Sequence, residues 1–397
     1  MDHQDLLAGV RVLDFSRVWA GPYCSMMLAE LGAEVIKVEE PGRGDETRLW
    51  PPFLNGVSGY FCCFNRSKKS LTLNLKHPKG IGIAHELIQR SDVLLENFTP
   101  GVAERLGISY PKARSLKSDL IYCSISAFGQ TGPYSHRRGY DPVLQAMSGI
   151  MSLTGEPEGA PVRVGVAVAD LAGALFSAFA IVSGLLGRSK GCGGQHIDLS
   201  MLDSQISLLA VKAFEFLHEG KVPKRWGGGD PQRVPSSTYQ TQDGSYIVVI
   251  ASDAHWPVFC QTVGRPDLIE DERFNSTDQR VKNREILEPI LAACLLERPG
   301  DEWLSRFEAA GVPAGPVNSL DRVFSDPQVL AREMVKPLSH PRMGTHLAID
   351  WPYQFSRSPS RIRSLPPELG QHTEEILCGL LGRSQEEVRL LREEKAI

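Results

Sequence analysis

The sequence predicts an α/β protein built on a parallel sheet, followed by a smaller α+β unit. Three observations predict it. Strand and helix patterns alternate through the first 130 residues, as helices covering the faces of a parallel sheet require. The composition breaks at 219–235 (EGKVPKRWGGGDPQRVP), a polar, basic, Gly- and Pro-rich stretch that reads as a linker or mobile loop. Beyond it, two β-rich runs flank Asp243-Gly244, a hairpin signal of a different architecture.

In chain order, 10–15 (VRVLDF) reads as a buried strand and 22–31 as the helix after it. Strands follow at 35–39 (VIKVE), 71–75 (LTLNL), 92–96 (DVLLE) and 120–126 (LIYCSIS), with helices at 78–90 and 102–105. A strand at 196–199 (HIDL) and a single helix over 203–218 close this part. After the break come the hairpin 237–242/246–251, helices near 256–263, 284–297 and 301–310, and two short helices within 374–394.

The segment 164–187 (VGVAVADLAGALFSAFAIVSGLLG) is long enough to span a bilayer, and Asp170 is its only charged residue. It is rich in Ala and Gly rather than Leu and Ile, and no second such segment accompanies it. The expectation is a helix buried on all sides of a soluble domain, with no membrane partner. A lone Asp in that setting is costly unless it is paired or used.

Composition narrows the function. Over 397 residues, 43 Lys and Arg face 47 Asp and Glu, a net charge of −4, so the electrostatic footprint of a nucleic-acid binder is missing. Apolar residues make up 42%, too many for a disordered chain. The eight cysteines form no C-x-x-C pair and none has zinc spacing with a histidine, which suits reduced thiols and predicts no metal. The opening MDHQDLLAG lacks the basic flank and apolar core of a secretion signal, so a cytoplasmic location is expected.

Each candidate chemistry has a plainer reading. The first strand–turn–helix resembles a dinucleotide-binding start, with Glu39 and Glu40 placed like a ribose-binding acid, but the turn is SRVWAGP and lacks G-x-G-x-x-G. A helix beginning near Pro22 still suits an anion. Lys37, Arg66, Lys68, Lys69, Lys76, Lys79 and Arg105 fall near the strand ends, either as a phosphate-binding cluster or as a solvated basic face. Arg43-Gly44-Asp45 spells an adhesion tripeptide with no extracellular context, and FCCF at 61–64 reads as core. Gly227-Gly228-Gly229 is either a linker or a lid whose N–H groups close over substrate. Asp170 is either a nucleophile in a water-poor pocket or a capping, hydrogen-bonded Asp.

Read together, several strings resemble one family: LDFSRVWAGPYCSMMLAELGAEVIKVEEPGRGDETR, NRSKKSLTLNLKHPKG, DVLLENFTPGVAERLG, IYCSISAFGQTGP, GYDPVLQAMSGIMSLTG, PVRVGVAVADLAGALFS and LGQHTEEIL. They are similar to the class III CoA-transferases, the family of formyl-CoA transferase and carnitine CoA-transferase, along essentially the whole chain. The resemblance implies a Rossmann-like large domain assembled from both ends of the chain, a small α+β domain and a homodimer of interlocked rings. The expected division is 1–218 for the first part of the large domain, 219–235 for linker and glycine loop, 236–320 for the small domain, and 321–397 for the return.

The resemblance also implies residues and reaction. The family's nucleophilic Asp matches Asp170 in VAVADLAG. Its CoA-contacting positions match Trp19, Ala20, Leu73, Lys76, Asn97, Phe98, Arg105 and the segment Arg138-Gly139-Tyr140-Asp141. Its glycine loop matches Gly227, Gly228 and Gly229. A CoA thioester is the co-substrate; no tightly bound cofactor, metal or ATP is implied, and CoA passes through an aspartyl-CoA thioester. The rival α-methylacyl-CoA racemases carry a G-H-D base where this chain has Gly139-Tyr140-Asp141, and a Tyr with a pKa near about 10 is a poor base at neutral pH. A non-catalytic acyl-CoA-binding homologue is the third reading. Trp19 replaces a Gln of formyl-CoA transferase, and Glu40 replaces an Arg. The strings run closest to the succinyl-CoA:dicarboxylate branch, with glutarate, itaconate or oxalate as acceptor. Arg17 and Arg225 are then candidates for the acceptor's distal carboxylate.

Overall fold

The computed structural model describes residues 5–358 and 361–397. The chain divides into two compact units. The first holds the residues up to Ile150, Arg163–Gly220 and the chain from Arg332 on; the second holds Met151–Val162 and Lys221–Ala331. The sequence reading had left 151–162 in the large domain and 321–331 in the return segment. The first of these corrections has a visible cause: the Gly155 carbonyl accepts from Gly227 N, and Arg225 donates to the carbonyls of Glu156 and Gly159.

In the first unit, strands β1 (Arg11–Asp14), β2 (Glu34–Glu39), β3 (Lys69–Thr72), β4 (Val93–Glu96), β5 (Ile121–Ser126) and β6 (Gln195–Ser200) form one parallel sheet in the order β3-β2-β1-β4-β5-β6. The order reverses between β1 and β4, and such a reversal opens a crevice at the carboxyl ends of the strands. Both faces are covered, which explains the nearly continuous apolar strands. Leu13, Ile36, Leu71 and Leu94 pack with helix α2 (Pro78–Gln89) and with Ile376, Leu377, Val388 and Leu391 from the C-terminal segment. Val12, Val35, Val93 and Ile121 pack with helices α1 (Ala20–Glu30) and α4 (Val168–Ser189). Helix α3 (Asp141–Met147) precedes α4.

Three expectations are corrected. Helix α4 is not buried on all sides: Ala169, Ala172, Gly173, Ala174, Ser177 and Ile181 face the core, while Leu175, Phe179 and Leu186 are exposed. It is the one helix among the described residues long and apolar enough to cross a membrane. The helix expected at 203–218 is two, α5 (Met201–Leu208) and α6 (Val211–Glu219), because Ala210 takes φ +43° between them. Of the FCCF cysteines, Cys62 is buried beside Met343 but Cys63 is exposed.

In the second unit, strands β7 (Ser236–Gln240), β8 (Tyr246–Ile250) and β9 (Ala314–Pro316) form an antiparallel sheet. Gly244, at φ +78°, makes the expected Asp-Gly turn between the first two. Helices Trp256–Thr262, Arg284–Leu295 and Gly300–Ala309 supply its core with Trp256, Phe259, Leu291, Trp303 and Phe307.

Leu94 is fully buried on β4, at the centre of the first unit's sheet. Leu94→Ala is expected to cost about 2–5 kcal/mol of unfolding free energy in denaturant titration; a loss below about 1 kcal/mol would contradict this packing.

Candidate active site

The carboxyl edge of the first unit's sheet carries two neighbouring cavities. One, of about 290 Å³, is lined from the segments after β2 and β3 and includes Arg17, Glu40, Leu73, Lys76 and Phe98. The other, of about 490 Å³, lies at the β1/β4 reversal. It is lined by Arg17, Val18, Trp19 and Ala20 after β1, by Asn97 and Phe98 after β4, by Ser126 and Ala127 after β5, by Arg138, Gly139, Tyr140 and Asp141, and by Asp170. Two distant stretches of sequence thus meet where an open α/β sheet binds its ligands.

The loop after β1 is held by buried charges. Lys37 Nζ pairs with Asp45 Oδ2 at 2.9 Å and donates to the Ser16 carbonyl at 2.9 Å. Lys68 Nζ, also buried, meets Asp14 Oδ2 at 3.3 Å and donates to the Pro22 carbonyl at 2.9 Å. Asn97 brackets Arg17, accepting from its N–H at 2.8 Å and donating to its carbonyl at 2.7 Å. The Val18 N–H points at Asp45, 3.4 and 3.3 Å from its two carboxylate oxygens. Val18 itself has φ +69°, the left-handed region that a β-branched residue leaves unless its surroundings hold it, at a cost on the order of 1–3 kcal/mol. Against the cost of its own burial, Lys37 and the Thr47 hydrogen bonds hold the Asp45 carboxyl down at about 2.

This loop delivers the first N–H of α1 to Asp170. Ala20 opens α1 after Trp19, whose side chain makes no cap, so its N–H has no partner within the helix. The Asp170 carboxylate lies near enough for this N–H to favour its charged form. Asp170 is the third residue of α4, whose own start also lacks a side-chain cap; there Asp141 Oδ1 accepts from Ala169 N at 2.7 Å, and Asp141 Oδ2 from Gln145 Nε2 at 2.6 Å. Burial, with the negative charge of Asp141 added, pushes the Asp170 carboxyl up to about 7, and the Ala20 N–H opposes the rise.

The geometry sorts the sequence candidates. Trp19, Ala20, Phe98, Arg138, Tyr140 and Arg17 line the larger cavity, with Tyr140 70% exposed, and the Trp19 indole N–H is buried without a hydrogen-bond partner. Leu73 and Lys76 line the smaller one. Asn97 and Asp141 line the larger cavity too, but Asn97 is committed to the backbone of Arg17 and Asp141 to the Ala169 N–H and the Gln145 amide. Arg105 is exposed on the short helix Val102–Arg105. Most of the suspected phosphate cluster is spent inside the fold: Lys37 on Asp45, Lys68 on Asp14, Arg66 on Glu30, Lys69 on Glu34 and Glu375, Lys79 on Glu394. Glu39 is no ribose ligand either, since Arg48 holds both its oxygens at 2.8 Å. Sequence reasoning missed Arg137 and Met201, which line the larger cavity, and Tyr60, whose hydroxyl is pushed up by burial and by the charge of Asp170. Arg137, next to Arg138 in a basic loop, carried a signal; Tyr60 carried none. Among the described residues no group of three or more His, Cys, Asp and Glu could hold a metal ion.

The remaining candidates lie in the second unit. A Cβ at Gly227 would stand 2.6 Å from Glu156 Oε2, and one at Gly228 would stand 2.4 Å from Thr238 Oγ1. The Gly227 N–H already donates to Gly155 O and the Gly229 N–H to Trp226 O, so two of the three N–H groups of the supposed lid are engaged. Arg225 donates to the carbonyls of Glu156 at 3.1 Å and Gly159 at 2.6 Å. Close packing accounts for Gly227 and Gly228, and backbone stapling for Arg225.

A carboxyl that is harder to ionise in the folded than in the unfolded chain costs stability once pH exceeds its unfolded value, 3.8 for Asp170. Asp170→Asn keeps an acceptor for Ala20 and removes that cost. It is expected to stabilise the protein by about 1–3 kcal/mol at pH 8, with the gain gone by pH 3, in paired thermal melts; equal stability at both pH values would contradict the elevated carboxyl.

Comparison with known proteins gives this geometry a family. Residues 7–373 match the model of CoA-transferase family III. The chain is 43% identical over 382 residues to succinyl-CoA:glutarate CoA-transferase of Mus musculus, covering 96% of this chain and 87% of that protein. It is 39% identical over 328 residues to acetyl-CoA:oxalate CoA-transferase of Acetobacter aceti, covering 82% and 84%. The crystal structure of a CAIB/BAIF family protein from Brucella suis superposes with a TM-score of 0.85 at 37% identity, covering 95% of this chain and 100% of that one. With a cleft at the sheet reversal and a family match over nearly its whole length, the chain is an enzyme of CoA-transferase family III.

Proposed function

We propose that this enzyme moves CoA from succinyl-CoA to a second dicarboxylate through a covalent aspartyl-CoA thioester on Asp170. The observation that carries the reading is the carboxylate itself, placed in the cleft, short of water and beside the acid Asp141. Such a carboxylate keeps the nucleophilicity that hydration would mask. Asp170 Oδ attacks the thioester carbonyl and CoA leaves as thiolate, giving a mixed anhydride. The thiolate attacks the aspartyl carbonyl of that anhydride; succinate leaves and the aspartyl-CoA thioester remains. The acceptor carboxylate attacks this thioester, CoA thiolate leaves again, and its attack on the acceptor's acyl carbonyl releases the new acyl-CoA and the Asp170 carboxylate. Electrons and atoms balance without an external oxidant or ATP.

The mouse relative is named for glutarate and the Acetobacter relative for oxalate, and these are the acceptor classes to test first. At the cleft, Arg17 stands over the Phe98 ring at 5.2 Å, exposed and lining both cavities, and we assign it rather than Arg225 to the anionic end of a substrate. The unpartnered Trp19 indole N–H suits a carboxylate oxygen of the acid. The strand order supports a Rossmann-like reading of the large unit. We further propose a soluble, cytoplasmic homodimer. Leu175 and Phe179 on α4 with Phe214 and Leu217 on α6 leave an apolar surface that a second copy would cover.

Intact mass spectrometry after incubation with succinyl-CoA tests the reaction. The wild type is expected to gain a CoA adduct that glutarate or oxalate discharges, and Asp170→Ala none; an adduct of equal yield on Asp170→Ala would overturn the nucleophile. Light scattering on size-exclusion fractions tests the assembly: twice the chain mass of 43.7 kDa is expected, falling towards the monomer in Phe179→Glu/Leu217→Glu. A monomeric wild type would refute the dimer.

A further inference from the structure

Asp45 closes the Arg43-Gly44-Asp45 triplet that the sequence reading could connect to nothing. Its carboxylate is buried, with Oδ2 on the Lys37 ammonium at 2.9 Å and Oδ1 accepting from Thr47 N at 3.0 Å and Thr47 Oγ1 at 2.7 Å. What remains of its accepting capacity goes to one outside group, the Val18 N–H. Three successive residues of the loop after β1 are gripped: Ser16 by Lys37, Arg17 by Asn97 and Val18 by Asp45. Only the last grip falls on a residue in the left-handed region, at φ +69°, from which a valine otherwise relaxes. Two residues further on, the chain presents the Ala20 N–H to Asp170. A relaxed Val18 would swing that N–H and Trp19 together.

We propose that Asp45 is a positioning residue for the transfer reaction, holding Val18 in its strained conformation so that Trp19 and the Ala20 N–H keep their place in the cleft beside Asp170. The inference rests on the reading of Asp170 as the nucleophile. Asp45 acts through two intermediaries, Val18 and Ala20, and a misplacement of about 1 Å at a reacting group is worth on the order of a hundredfold in rate. An ion pair kept only for stability would leave the chemistry of the folded fraction untouched.

Asp45→Asn separates these roles. However the amide turns, its NH₂ meets a donor, either Thr47 N–H on one side or Lys37 and Val18 N–H on the other. Folded Asp45→Asn enzyme, its content set by circular dichroism, is expected to lose about 10–100-fold in kcat with KM for succinyl-CoA within about threefold. Loss of the Ala20 N–H disfavours the ionised Asp170, so the acid limb of the kcat/KM profile is expected to move to higher pH by about half a unit or more. Asp141 and Tyr60, and the charged groups that line the cavity with Asp170, namely Arg17, Glu46, Arg137 and Arg138, are unchanged in the variant. In the double variant Val18→Gly/Asp45→Asn, glycine adopts positive φ without strain, and several-fold of the lost kcat is expected to return.

If Asp45→Asn does not fold, Thr47→Val takes away one hydrogen bond of Asp45 but leaves its ion pair, and the same shift is expected at smaller size. A lowered unfolding temperature with kcat, the acid limb and the rescue all unmoved would overturn the positioning role. Failure of wild-type enzyme to form a CoA adduct would overturn the nucleophile reading and this inference with it. A wild-type adduct beside an unaltered acid limb in both variants would overturn this inference alone.

Discussion

The site depends on one electrostatic contact between the starts of two helices. The charged form of the Asp170 carboxylate, three residues into α4, is favoured by the N–H that opens α1. Trp19 offers α1 no side-chain cap, and the charge of Asp141 bears on Asp170 from the other side of the balance. The N-terminal end of a helix favours an anion by about 0.3–1 kcal/mol, which opposes but does not cancel the cost of keeping this carboxylate from water beside Asp141. The result is a carboxyl balanced between its two forms near neutral pH.

Holding that balance absorbs much of the charge that looked available for substrate. Lys37 and Asn97 act on the backbone of the loop after β1, and Lys68 on the Pro22 carbonyl at the start of α1, rather than on the cavity. Asp141 does the same for the start of α4. Burying a paired Lys and Asp seldom adds net stability over an apolar pair. Here the buried pairs fix a loop conformation that no apolar residue could fix, since only a charged or polar group can grip Ser16 O and Val18 N.

How much of this the sequence revealed follows from what each feature depends on. The parallel sheet was legible because both its faces are covered, so its strands are apolar runs punctuated by amphipathic helices; every strand of the large sheet lies where the pattern put it, its ends within about three residues. Asp170 stood out as the lone charge in an apolar helix. Long-range partners were not legible. Nothing local tells that Lys37 meets Asp45 or that Asn97 faces Arg17, so a basic cluster was left between a phosphate site and a solvated face, and Asp45 in a triplet without context. The outer face of α4 was misjudged for a related reason: an apolar run does not tell which of its residues the fold buries. The break at Ala210 escaped because an alanine gives no warning of positive φ.

The account's central claim is that Asp170 titrates near neutrality in its place beside Asp141 and the start of α1. Isotope-edited infrared titration of protein carrying ¹³C-carboxyl aspartate, taken as wild type minus Asp170→Asn, reads this carboxyl directly. The account predicts a difference band that changes from the acid to the carboxylate form with a midpoint of about 7. A midpoint near the ordinary aspartate value of about 4 would contradict it.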